Sequence, residues 1–128
     1  MPRKTLAVLG LMLAIGCGAP DATVEPTFPS IQENVFNISC ASSGCHGEAQ
    51  EGALDLREGA AYEDLVNVPA ELAPEMQRVQ PGDAEASFLY VKLRTPGEGQ
   101  GVRMPVGSKL PEDRIDAIRE WIEGGAER

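Results

Sequence analysis

The residues best equipped for chemistry lie in one run, Cys40-Ala41-Ser42-Ser43-Gly44-Cys45-His46. Two thiols and an imidazole this close together suit a metal or a covalently held cofactor. In a C-x-x-C-H run the thiols add to the vinyl groups of a haem and the adjoining histidine comes to lie under the iron. Here four residues separate the cysteines instead of two. At about 100° per residue, positions three apart on a helix share a face, whereas positions five apart point about 140° away from each other. The intervening segment must therefore bulge, and Ser42, Ser43 and Gly44 are expected to supply the freedom. A structural zinc site needs four Cys or His ligands, usually as two separated pairs, and the chain holds one histidine in total. A Cys–His catalytic dyad brings its members together across a fold, which adjacent Cys45 and His46 do not need. A small Cys40–Cys45 disulfide stays open as an alternative, although so short a loop restrains little of the unfolded chain.

A second donor comes from methionine. Beyond the N-terminal segment there are two, Met76 and Met104. A core methionine fills gaps on a helix face. Met104 instead sits in Gly101-Val102-Arg103-Met104-Pro105, inside a stretch too rich in Gly and Pro for a regular element. Such a side chain is presented to a target. His46, this loop and the ending Trp121-Ile122-Glu123-Gly124-Gly125-Ala126 together resemble the small c-type cytochromes, above all the planctomycete-type cytochrome c domains. Pro81-Gly82-Asp83, Ser87-Phe88-Leu89 and Lys92-Leu93 fit the same pattern, so the resemblance covers residues 30–126. It departs in the widened cysteine spacing, a variation that occurs among c-type cytochromes.

The resemblance implies one covalent haem c. Cys40 and Cys45 would form its thioethers, His46 the proximal iron ligand and Met104 the distal one, with Met76 the second candidate. His/Met ligation raises the iron potential and suits one-electron exchange with redox partner proteins, not enzymatic turnover. An iron left without the methionine would instead suit a haem peroxidase or a gas-binding protein. A haemless lipoprotein binding module closed by a Cys40–Cys45 disulfide is the third reading.

The elements that must position these groups read as helices. Ser30 and Glu33 form a capping-box pattern, and Ile31, Val35, Phe36 and Ile38 make an apolar stripe running into Cys40. A short helix is expected over Ala60–Val66. Another should follow Asp83 as N-cap, burying Phe88, Leu89 and Leu93. Residues 95–109 should form a loop. The last helix starts at Pro111 with Glu112 and Asp113, repeats Ile115, Ile118 and Ile122 at helical spacing, and stops at Gly124 and Gly125. No strand pattern occurs, so the expected class is all-α, a small cytochrome c-like helical domain with long loops around one haem. Few short helices give a thin core, and exported domains of this size usually add disulfides or a metal. Trp121 suits either the haem edge or the core. Arg57, Arg103 and Lys109 are propionate partners or solvated charges, and Tyr62 and Tyr90 are core edges.

The ends give an address. Arg3 and Lys4, the apolar run Leu6–Ile15 and the small residues after it describe a signal peptide over 1–16. The run is roughly half of the ~20 residues a membrane-spanning helix needs. Ala14-Ile15-Gly16-Cys17 resembles a lipobox, which would make Cys17 a lipidated N-terminus, although an ordinary cleavage site also fits. Residues 17–29 then read as a tether and 30–128 as the domain, exported to the periplasmic or cell-surface side of a bacterial membrane and anchored there. Removing 1–16 takes two basic residues and changes the net charge from −9 to −11. That surface excludes nucleic acid as a partner. It suits solubility, or a redox partner with a basic docking face.

Overall fold

The computed structural model describes residues 23–128. The expected signal peptide, Cys17 and the first part of the tether lie outside the described residues. Four α-helices appear, α1 Phe28–Ile31, α2 Ala61–Leu65, α3 Phe88–Leu93 and α4 Glu112–Glu123. A π-helical stretch, Gln32–Cys40, continues α1 without a break, and Glu51–Ala53 form one 3-10 turn. Among the described residues there is no strand, only isolated bridges such as Val66 with Val79. The architecture is all-α. No helix among the described residues is long and apolar enough to cross a membrane.

The first helix begins earlier than its sequence suggests. Pro29 lies in the first turn, where its missing N–H costs nothing and its fixed φ suits the helix. Thr27 is the N-cap, and no side chain caps the end. Ser30, expected to cap, lies inside the helix, and its hydroxyl accepts the Glu25 amide at 3.0 Å. That bond folds residues 24–29 back onto the domain. Val24 is buried, and the Phe28 ring meets Tyr62 at 5.1 Å and Trp121 at 5.6 Å. Val24 and Phe28, expected within the tether, thus pack against the domain. The switch to five-residue bonding, seen again where the Ala41 amide meets the Phe36 carbonyl at 2.8 Å, rotates the apolar stripe. Ile31, Val35 and Phe36 stay buried, but Ile38, expected to join them, is 66% exposed.

Helix α4 packs against both α1 and α3. Ile115, Ile118 and Ile122 are fully buried along its one face, with Trp121 beside them. Pro111 sits at its N-cap, one place before the first turn expected for it. At the other end, helix carbonyls lack partners within the helix. Gly82, held at φ +85°, donates its amide to the Ile122 carbonyl at 2.7 Å. The Ala126 amide reaches the Trp121 carbonyl at 2.9 Å, while the Trp121 indole donates to the Glu127 carbonyl and the Tyr62 hydroxyl to that of Ala126. Trp121 therefore fills the core and locks the chain end. Tyr62 and Tyr90 lie at the core edge.

Asp83 does not cap α3 as expected. It accepts the Ala86 amide and shapes a preceding turn, while Ser87 is the N-cap and buries its hydroxyl between Gln80 and the Asp83 carbonyl. Extra turn residues let 80–87 dock on α4 before the helix starts. Phe88 and Leu93 are buried, and Leu89 is half-buried. Residues 95–109 hold no regular element, as the sequence implies.

A charged knot braces the segment between the two helical halves. The buried Asp55 carboxylate takes a two-pronged bond from the Arg57 guanidinium and the Arg57 amide, and its own amide donates to Asp64. These bonds, foremost those from the Arg57 side chain, hold the Asp55 carboxyl down at about 2. A lowered carboxyl stabilises fully above the ordinary value of 3.8 and ceases to do so as pH falls toward about 2. Arg57→Ala should therefore be less stable than wild type at neutral pH, with the two converging across that acid window. Denaturant titrations followed by circular dichroism at several pH values check this, and a pH-independent difference would reject it.

Candidate functional site

The widened cysteine loop solves its spacing problem with one long bond. The His46 amide donates to the Cys40 carbonyl at 3.1 Å, six residues back. A regular helix bonds residues four apart, so two residues are looped out. The Cys45 and Gly47 amides both return to the Ser42 carbonyl at 3.0 Å, and the Glu51 amide reaches the Cys45 carbonyl at 2.9 Å. Close packing falls on Gly47. A Cβ there would stand 2.5 Å from the Ala41 carbonyl oxygen and 2.6 Å from that of Ser42, both backbone atoms that cannot step aside. Gly44, which the sequence suggested as the permissive residue, has no neighbour within 4 Å and no left-handed φ. The required glycine follows the histidine.

His46 is half-buried, and its Nδ1 lies 2.8 Å from the Glu51 carbonyl oxygen. A carbonyl only accepts, so Nδ1 carries a proton, and the tautomer of the neutral ring that fits this contact leaves the lone pair on Nε2. An imidazole oriented through its other nitrogen in this way is prepared as a ligand. Cys40 is half-buried and Cys45 exposed, and no disulfide joins them. Burial, with the neighbouring Cys45 second, pushes the Cys40 thiol up to about 12, so it stays neutral near pH 7.

Met104 is held by α3. Its amide donates to the Lys92 carbonyl at 2.8 Å, and the Lys92 ammonium donates to the carbonyls of Gln100, at 2.8 Å, and Val102. The ammonium also lies 5.9 Å from the Phe88 ring centre, and burial lowers its pKa below the ordinary lysine value. Gly101, at φ +75°, gives it room, since a Cβ there would meet Lys92 Nζ at 3.0 Å. Met76 goes elsewhere. It packs with Ala70, Ala73 and Phe88 in a small separate cluster, and Gln100 Nε2 lies 4.0 Å from its sulfur.

These pieces meet around one cavity of about 610 Å³. Cys40, Cys45 and His46 line one part of its wall and Met104 another, with Leu54, Leu56, Leu65, Leu89 and Leu93 among the apolar surface between. Cofactor sites have this size and this mostly apolar lining with a few placed polar groups. Among the described residues no three His, Cys, Asp or Glu side chains gather as metal ligands. The donors that share the cavity are two thiols, an imidazole and a thioether, which suits an iron already carried by a macrocycle. Arg57, Arg103, Lys109 and Trp121 do not line it; Arg57 pairs with Asp55 and Lys109 with Glu112. Two other cations do, Lys92 and Arg78. Arg78 donates to the Asp64 and Ala53 carbonyls at 2.9 Å each, joining α2 to the segment after His46. No local pattern marks either as a wall residue; only the helical register of Lys92 beside Leu89 and Leu93 offers a signal.

Comparison with protein-family models, with curated proteins and with solved structures gives no match for this chain. The reading of the site rests on its own chemistry.

The glycine geometry gives a sharp contrast. Gly47→Ala must displace backbone and should cost about 2–3 kcal/mol, whereas Gly44→Ala, in open space, should change stability by less than about 1 kcal/mol. Thermal or denaturant unfolding of the two variants checks this. Equal effects would mean the loop is not built as described.

Proposed function

We propose that this chain is a monohaem c-type cytochrome that carries single electrons between redox partners. The observation that carries the proposal is the shared cavity of about 610 Å³, whose wall brings Cys40, Cys45, His46 and Met104 together across more than sixty residues of sequence. Cys40 and Cys45 would hold the haem by thioether bonds. His46 would present Nε2 to the iron from one side, its ring fixed by the Glu51 carbonyl. Met104 would present its sulfur from another part of the wall, on a loop fixed to α3. The haem, when bound, supplies reversible one-electron oxidation of its iron, and its chemistry is the cofactor's own.

The chain's part is to hold ligands and to set the surroundings. A leucine-lined wall would shield the inner part of the ring from water and favour the less charged iron state, and a thioether ligand would act in the same direction. With His46 and Met104 both bound, the iron would offer no free position to oxygen or peroxide, which separates this reading from a peroxidase or gas-binding protein. The mouth is not closed by protein: Leu72 and Val106 line the cavity yet are 53% and 70% exposed. An open edge is where electrons enter and leave by proximity. The acidic chain would steer a partner with a basic face toward it. Export and a lipid anchor at Cys17 belong to the same proposal, carried by the N-terminal sequence.

Expression with export and the haem-attachment machinery, followed by a reduced pyridine–haem spectrum, should give one covalent haem per chain. Cys40→Ala or Cys45→Ala should lower that yield sharply. Met104→Ala should keep the haem but lose the weak far-red absorption of a sulfur–iron bond, while Met76→Ala should keep both. A colourless product from the wild-type chain would end the proposal.

A further inference from the structure

We propose that Lys92 is a positioning residue for Met104, its ammonium acting as a built-in cation around which the methionine loop folds. This rests on the reading of Met104 as the distal iron ligand. Residues 95–109 bring few apolar anchors of their own, with Val102 61% and Val106 70% exposed, and the bonds inside the loop, between Gly97 and Gln100 and between Ser108 and Pro105, close only local turns. Three bonds that tie the loop to the body of the domain come from one residue. The Lys92 carbonyl takes the Met104 amide at 2.8 Å, and its ammonium gathers the carbonyls of Gln100 and Val102 on the two sides of Gly101.

The geometry selects lysine and glycine as a pair. An ammonium is a compact point charge with three donors, able to sit among carbonyls as a small cation does. The planar guanidinium of arginine is wider and presents its donors in a flat fork. The space is limited, because any side chain at Gly101 would press within 3.0 Å of Lys92 Nζ and 3.2 Å of Leu72 Cδ1, from a backbone already at φ +75°. Lys92 also lines the cavity beside Phe88, so the charge that folds the loop sits in the same wall as the sulfur it positions. Among the described residues no carboxylate pairs with this ammonium, unlike Lys109, which is held by Glu112. Its partners are the loop's own carbonyls.

The test uses the full-length haem-loaded protein and two readouts. Hydrogen bonds to a charged group are among the stronger ones, so loosening the loop should let added imidazole displace the methionine with affinity raised about tenfold or more. Lys92→Met, which keeps the apolar stem and removes the charge, should show this rise and a weakened sulfur–iron absorption at unchanged covalent haem content. Lys92→Arg should fall on the same side, and Gly101→Ala should reproduce the effect from the loop, covering the case in which Lys92→Met folds poorly. In all three variants the Met104 amide should exchange with deuterium faster than in wild type. Wild-type imidazole affinity and wild-type exchange in both Lys92→Met and Gly101→Ala would overturn the assignment. A wild-type chain that takes up haem but shows no sulfur–iron absorption would instead overturn the reading of Met104, leaving the exchange result to judge the loop.

Discussion

The bond from the His46 amide to the Cys40 carbonyl spans six residues, and much of the site follows from that one closure. Two residues more than a helical turn can hold must be looped outward, so the loop turns back on itself. The return brings the Ala41 and Ser42 carbonyls against the next residue, where only glycine fits. Once Gly47 has passed that point, the chain curls far enough for the Glu51 carbonyl to stand under Nδ1 of His46. The imidazole's tautomer and the direction of its lone pair are thus consequences of local backbone bonding, settled within a dozen residues.

The rest of the domain is built so that this loop faces something. Helix α4 collects the core on one side: three isoleucines, Trp121, and α1 and α3 against them. The turn at Gly82 and the chain end close over the last carbonyls of α4. On the other side, leucines from the segment after His46, from α2 and from α3 converge on a cavity and not on each other. Side chains that line a hollow forfeit the contacts they would make in a filled interior, roughly in proportion to its volume. In a domain this small such a loss weighs heavily, and a group large enough to fill the space would recover those contacts on binding.

The sequence made the broad design legible and missed the parts that depend on contacts between distant segments. The isoleucine repeat of α4, the stop at Gly124 and Gly125, the short helix α2 and the irregular loop over 95–109 were readable because each rests on local periodicity or breakers. The start of the first helix was not. Ser30 and Glu33 carry a capping pattern, but Pro29 and the bond from Glu25 moved the boundary to Phe28. Ile38 looked like core because a 3.6-residue period was assumed, and the π-helical bonding turned it to solvent. The four candidate site residues do share one cavity, since residue chemistry identifies donors without regard to fold. Gly47, Lys92 and Arg78 were invisible in those roles, because each acts through a backbone carbonyl that no pattern of side chains records.

The two candidate ligands are held in different ways, and that difference has a physical consequence. His46 is fixed by partners within six residues on either side, inside a tightly bonded loop that follows a long helical stretch. Met104 depends on a partner twelve residues away on another helix, through a loop whose apolar residues face water. Segments with few buried contacts and exposed backbone bonds open at lower free energy than the body of a domain. The methionine side should therefore yield before the histidine side under heat, denaturant or a competing ligand. A thioether is also the weaker and softer of the two donors, so the less secure bond and the less secure loop coincide. In the proposed cytochrome this asymmetry would be tolerable, because the methionine would set the potential of the iron whereas thioethers at Cys40 and Cys45, with His46, would keep the group in place.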